Sequence, residues 1–211
     1  MDKSANRPKE KDLNLDRIVF FSDAVVAIAI TLLVLDLKLD IAGSQTVRWA
    51  DIGKLLPQFA AFLLSFILVA LFWIIHNQIF RYIKRVDERL VWINISWLFF
   101  IALLPFSASL LSAHFGERVA TMVYVLNTLG ITACQNFIWD YVAVRPDYLD
   151  GEIPERQVKI YQIYFNVGMV NGLIAIVFTF FAPTLAFFIL FTRPMMMAIY
   201  RRLALPRRLK R

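Results

Sequence analysis

Apolar residues come in long runs divided by short charged connectors. Runs near the length of about 20 residues that a bilayer core demands fall at about 18–37, 56–80, 91–113, 119–142, 159–181 and 183–200. They predict an all-α membrane protein with six transmembrane helices. The sixth run contains Arg193-Pro194, and the Ala182-Pro183 step before it is tight enough to make the fifth and sixth helices a hairpin. The connections at about 39–54 and 143–158 are polar, with Pro, Gly and Asp, while the others are short turns. Nothing resembling FFSDAVVAI recurs after residue 110, so no second half repeats the first. The expected organisation is a tail over 1–16, one membrane domain over 17–200 and a basic tail over 201–211.

Composition agrees with the pattern: 59% of the 211 residues are hydrophobic, too oily a balance for a soluble domain. The first apolar run is longer than a signal-peptide core and follows a polar tail, so it is read as retained. The net charge of +7 invites a nucleic-acid partner, but the basic residues are placed as topology signals beside membrane runs. The N-terminal tail, the 2–3 and 4–5 connections and the C-terminal tail hold 18 of the 23 Lys and Arg; the alternate connections hold four, and Arg193 lies inside a run. Basic loops stay cytoplasmic, so both termini are expected there, in agreement with an even number of crossings. The tail RRLALPRRLKR reads as a stop-transfer flank that can also touch anionic lipid heads.

Chemistry has little to stand on. Cys134 is the one cysteine and His76 and His114 are the two histidines, with no HExxH, GxSxG or Walker pattern. No enzyme activity, metal or organic cofactor is expected. A TVGYG filter loop and an Arg-rich voltage-sensing helix are also missing, so any ion selection must come from something else.

One feature does stand out. The stretch RIVFFSDAVVAIAITLLVLDLKLD, residues 17–40, is as apolar as a membrane helix can be, yet it carries Ser22 and Asp23 in its first third. With each residue advancing about 100°, Phe21, Ala24, Leu32 and Leu35 lie within about 40° of Ile28 and Thr31 about 60° aside, whereas Asp23 is about 140° away. A carboxylate facing lipid costs about 2.5–3.5 kcal/mol on the mildest scale, so Asp23 should meet neighbouring helices. Depth supplies partners. Asp23 is six residues from Arg17, His76 five before Arg81, and Asn94 five after Arg89. A network of Ser22, Asp23, His76 and Asn94 would then satisfy every polar group, while Arg17 is about 120° off Asp23 on its own helix. For His76 two readings stand side by side, a hydrogen-bonded packing residue and a protonation sensor. The Ile28 stripe likewise reads from periodicity as ordinary packing or as a pore lining.

Arg17-Ile-Val-Phe-Phe21-Ser22-Asp23 matches the R-x-x-x-F-S-D signature that opens the first membrane helix in the transmembrane protein 175 family of potassium channels, and the chain resembles its prokaryotic members. The six runs, His76 late in the second and Leu104-Pro105-Phe106 in the third are similar too. The resemblance implies a potassium-preferring channel in a prokaryotic cell membrane. It would be a homotetramer with first helices around the axis, with no cofactor beyond K+ as permeant ion. In that family the aliphatic residue five after the motif Asp, here Ile28, forms a hydrophobic constriction. The threonine eight after it, here Thr31, belongs to a layer linked to potassium preference, and Leu32 and Leu35 continue the lining. Four Ile28 side chains would close the path by dewetting. Asp36 reads either as a cation-concentrating group at the outer mouth or as a solvated helix end beside Lys38. Two other classes remain open: a small proton-coupled carrier using Asp23 and His76 as relay, and an accessory membrane subunit.

Overall fold

The computed structural model describes residues 13–38, 46, 48–53, 55–150 and 153–193. Most of the N-terminal tail, much of the first connection, the sixth run beyond Arg193 and the basic tail lie outside the described residues. The described chain is helical, with one isolated β-bridge.

Helix α1, Leu13–Leu32, tightens into a 3-10 turn over Leu33–Asp36. It starts inside the segment read as tail, because Asn14, Leu15 and Asp16 continue the helical spacing below Arg17 and Leu15 is buried. The first connection contains a five-residue helix, α2 (Trp49–Gly53), which the pattern of long runs is too coarse to reveal. Helices α3 (Leu56–Phe80), α4 (Glu88–Ala113), α5 (Arg118–Ala143) and α6 (Glu155–Phe181) follow the predicted runs with ends shifted by about a turn at most. Helix α7, Pro183–Ile189, begins on a proline, whose missing amide hydrogen is no loss in a first turn. Its short link through Ala182 packs it back on α6 as a hairpin.

Four helical stretches among the described residues are long and apolar enough to cross a membrane: Asn14–Asp36, Gln58–Phe80, Glu88–Ala113 and Arg156–Phe181. Helix α5 is 26 residues long but less apolar, and the reason is its place in the bundle. It packs on α3, α4, α6 and α7 and buries Thr121, Asn127, Thr128, Thr132 and Gln135. Most of these bond internally, as polar groups withheld from water must. Asn127 Nδ2 donates to Ser107 Oγ at 3.1 Å, Gln135 Nε2 to the Phe72 carbonyl at 2.8 Å, and the Thr128 and Thr132 hydroxyls to their own helix.

Close helix approach depends on two glycines. A Cβ on Gly130 would stand 2.6 Å from the Phe100 ring, and one on Gly172 2.6 Å from Leu129 Cδ1, so α4–α5 and α5–α6 meet where a side chain is missing. Gly168 similarly leaves room for Arg193. That arginine is buried, donates from Nη1 to Thr132 Oγ1 at 3.3 Å and lies 4.1 Å from the Tyr164 ring centroid. Trp97, Tyr124, Trp139, Phe165 and Phe187 fill the centre.

At the basic end of the bundle the α3–α4 and α5–α6 connections are tied together. Ile83 bridges Leu149, the Lys84 amide donates to the Tyr148 carbonyl at 2.9 Å, and the Asp150 amide to the Tyr82 carbonyl at 2.8 Å. Asp87 caps α4 by accepting from the Leu90 amide at 2.9 Å and takes the Tyr141 hydroxyl on its other oxygen. Partial burial pushes its carboxyl up, but the bonds from Tyr141 and Leu90 outweigh this and hold it below the usual carboxylate range. A carboxyl lowered on folding stabilises above its unfolded pKa and stops doing so as pH falls through the folded value. Asp87→Ala should therefore lower the thermal midpoint at neutral pH by the equivalent of about 1 kcal/mol, the usual worth of a cap. The gap from wild type should close below about pH 4; a gap independent of pH would contradict this role.

Candidate functional site

Helix α1 has two faces of different character. Ser22, Val26, Ala29 and Leu33 recur at i, i+4, i+7 and i+11 and are buried against α3 and α4. Phe21, Ile28, Thr31, Leu32 and Leu35 fall on the other side and form one continuous outward surface of the chain. Ile28 and Leu35 are each 61% exposed and Leu32 43%, so the single chain leaves this face uncovered, as it does apolar residues of other helices such as Phe99 and Phe137. The Thr31 hydroxyl donates to the Ile28 carbonyl at 2.8 Å and the Ala27 carbonyl at 3.1 Å. With its hydrogen committed to the helix, its oxygen can only accept on the outward face.

Behind this surface three of the four expected partners come together. Asn94 Nδ2 donates to Ser22 Oγ at 2.9 Å, the Ser22 hydroxyl donates to the Ile18 carbonyl at 2.8 Å, and His76 Nε2 is 2.8 Å from Asn94 Oδ1. The direction of the chain is self-consistent. Ser22 has spent its hydrogen on Ile18, so it must accept from the amide of Asn94; the Asn94 oxygen then faces His76, and Nε2 carries the imidazole proton. The ring is stacked between Phe80 and Trp97 at centroid distances of 4.3 and 4.1 Å. His76 thus has the geometry of a bonded packing residue, and Nδ1 has no hydrogen-bond partner among the described residues.

Asp23 is the exception. It does not join that chain: its Oδ1 accepts from the Trp73 indole nitrogen at 2.8 Å, on a half-buried flank of α1. A tryptophan reads as oily in a sequence although its indole N–H donates. The available signal was position, since Trp73 lies one turn before His76 on the same helix. Arg17 is exposed at the start of α1 and makes no bond to Asp23, as the offset between them requires. Asp36 is half-buried in the 3-10 turn, whose end is closed by the Leu37 amide on the Val34 carbonyl and the Lys38 amide on the Asp36 carbonyl. Among the described residues no three His, Cys, Asp or Glu side chains gather as metal ligands would.

The stretch that carries these residues is also the one that matches a known family. The profile of the family described as endosomal/lysosomal potassium channel TMEM175 matches residues 17–105, beginning on Arg17 of the signature. The chain is 31% identical over 156 residues to a potassium channel of Streptomyces collinus, covering 72% of this chain and 76% of that one. It is 31% identical over 175 residues to a potassium channel of Chamaesiphon minutus, covering 81% and 86%. Among solved structures it is similar to the crystal structure of a lysosomal potassium-selective channel TMEM175 homolog from Chamaesiphon minutus. There the TM-score is 0.75 and the identity 26%, over 89% of this chain and 98% of that one.

Proposed function

The chain belongs to the TMEM175 family, and from that premise we propose that it is a potassium-preferring cation channel whose conduit is ringed by α1. Four copies surround one axis, each contributing six crossings from a membrane domain over 17–200, with the tails 1–16 and 201–211 on the cytoplasmic side of the cell membrane. It is passive and needs no cofactor, K+ being the permeant ion. Its partners are its own copies, permeant monovalent cations and the bilayer.

The observation that carries this reading is the exposure of the Ile28 stripe opposite a buried polar anchor. Ser22, Asn94 and His76 fix the rotation of α1 against α3 and α4, and that rotation turns Ile28, Thr31, Leu32 and Leu35 outward together. Ile28 forms the constriction, closed by dewetting and opened by a widening of a few ångströms. Thr31 presents a ring of hydroxyl oxygens to a partly hydrated cation one turn further on. Side-chain hydroxyls replace a hydration shell less completely than rings of carbonyls, so the preference for potassium over sodium is modest. The carrier reading has less support, because Asp23 and His76 engage different partners, Trp73 and Asn94, rather than each other.

Purified protein in liposomes should pass potassium faster than sodium and exclude a large organic cation, with single-channel steps in a planar bilayer. Saturable, pH-driven flux without such steps would point to a carrier. Asp23→Ala should reduce the yield of assembled protein, by the equivalent of about 1 kcal/mol for one partly exposed hydrogen bond, and leave the potassium-to-sodium ratio unchanged. An intact assembly with altered selectivity would contradict the placement of Asp23 off the axis.

A further inference from the structure

A cavity of about 850 Å³ opens between α1 and α3 at the basic end of the bundle. Its wall includes Trp73 and Phe80, and its rim carries Asp16, Arg81, Lys84 and Asp150. On α1 the lining positions lie about 140–240° around the helix from Ile28, so the cavity is behind the outward stripe and no part of it. Two properties limit what it can hold. It sits where apolar helix ends give way to charged connections, the level at which phospholipid heads meet protein, and Trp73 lines it about two turns deeper. It also presents two cations and two acids together. A purely anionic head would meet Asp16 as well as the bases, whereas a head with one phosphate and one ammonium finds an opposite charge for each. Among the described residues Asp16 forms no ion pair with Arg81 or Lys84, so these three charges are not consumed by one another.

We propose that this cavity is a binding site for a zwitterionic phospholipid with a primary ammonium, of the phosphatidylethanolamine class. Arg81 and Lys84 take the phosphate, Asp16 takes the ammonium, and the glycerol end and first methylenes lie on Trp73 and Phe80. Trp73 also holds Asp23 of α1 through its indole nitrogen, so an occupied cavity braces the same contact that helps set the turn of that helix. A trimethylated ammonium offers no N–H to Asp16, which separates ethanolamine from choline heads.

The test uses the full chain, equilibrated in detergent with equal amounts of phosphatidylethanolamine, phosphatidylcholine and phosphatidylglycerol, with the retained phospholipid counted by mass spectrometry. The expected result is about fivefold enrichment of phosphatidylethanolamine over phosphatidylcholine, the ratio that about 1 kcal/mol of preference produces. The double variant Arg81→Gln, Lys84→Gln should bring retention down to the bulk ratio. Asp16→Asn should keep phospholipid bound but lose the preference for ethanolamine. If the double variant does not fold, the exposed Lys84→Gln alone should still lower retention. Bulk-like retention by the wild type, which a cavity filled by a second copy or by residues 1–12 would give, overturns the proposal, as does preferential retention of phosphatidylglycerol. Lipid counting is independent of ion flux, so it fails or succeeds separately from the channel reading.

Discussion

Replacing Ile28 with Asn is expected to raise potassium flux severalfold while leaving the fold of each chain unchanged. Ile28 is 61% exposed on the single chain, so most of its side-chain surface lies outside the packing of one copy. Its effect belongs to whatever surrounds it on assembly. An aliphatic ring narrow enough to expel water blocks ions without touching them, and a ring of amides holds water in the same space. The contrast with Val26, two residues earlier and buried on the opposite face, makes the test internal. Val26→Asn places an amide without partners in the core, which costs about 1–3 kcal/mol of stability and opens no path. Liposome flux and thermal unfolding measured on both variants separate the faces. Unchanged flux in Ile28→Asn would remove it from the constriction.

Asn94→Ala has the largest expected effect on stability. It deletes the acceptor of His76 and the donor to Ser22 in one step, leaving the imidazole N–H without a partner between two aromatic rings. A buried donor left unsatisfied costs about 1–3 kcal/mol, and the space vacated by the amide adds to that, for about 3 kcal/mol in all. Ser22→Ala should cost less, about 1–2 kcal/mol, since it leaves the Asn94 amide without its acceptor but keeps the Asn94–His76 bond. Combining the two should cost less than their sum, because they remove one shared contact. Strict additivity of the thermal or denaturant midpoints would show that the three residues do not act as a chain.

How much of this was legible in the sequence follows from what kind of signal each part leaves. Helix positions were readable because apolar runs of bilayer length are a coarse signal that survives local irregularity. The pairing of Ser22, His76 and Asn94 was readable because Arg17, Arg81 and Arg89 mark a common level from which depth along each helix can be counted. The helical period placed Ile28, Leu32 and Leu35 on one side of α1 and Asp23 nearly opposite, and left open whether that side packs or faces outward. Counting polar letters misassigned Asp23, whose partner Trp73 hides a single donor in an apolar residue. Helix α2 was missed because five residues leave no periodic trace. The weaker apolarity of α5 was visible as Thr, Asn and Gln, but only the structure shows that these are buried within the bundle, with Asn127 and Gln135 donating to Ser107 of α4 and the Phe72 carbonyl of α3. The cavity at the basic end depends on where α1 and α3 part, which no run length encodes.

The most direct measurement is an experimental structure of the assembled protein in lipid. Copies of α1 should surround a common axis, with the Ile28 side chains converging at its narrowest point and Asp23 held by Trp73 of its own chain. Ile28 in contact with acyl chains, or copies meeting through another helix with no shared conduit, would contradict the account.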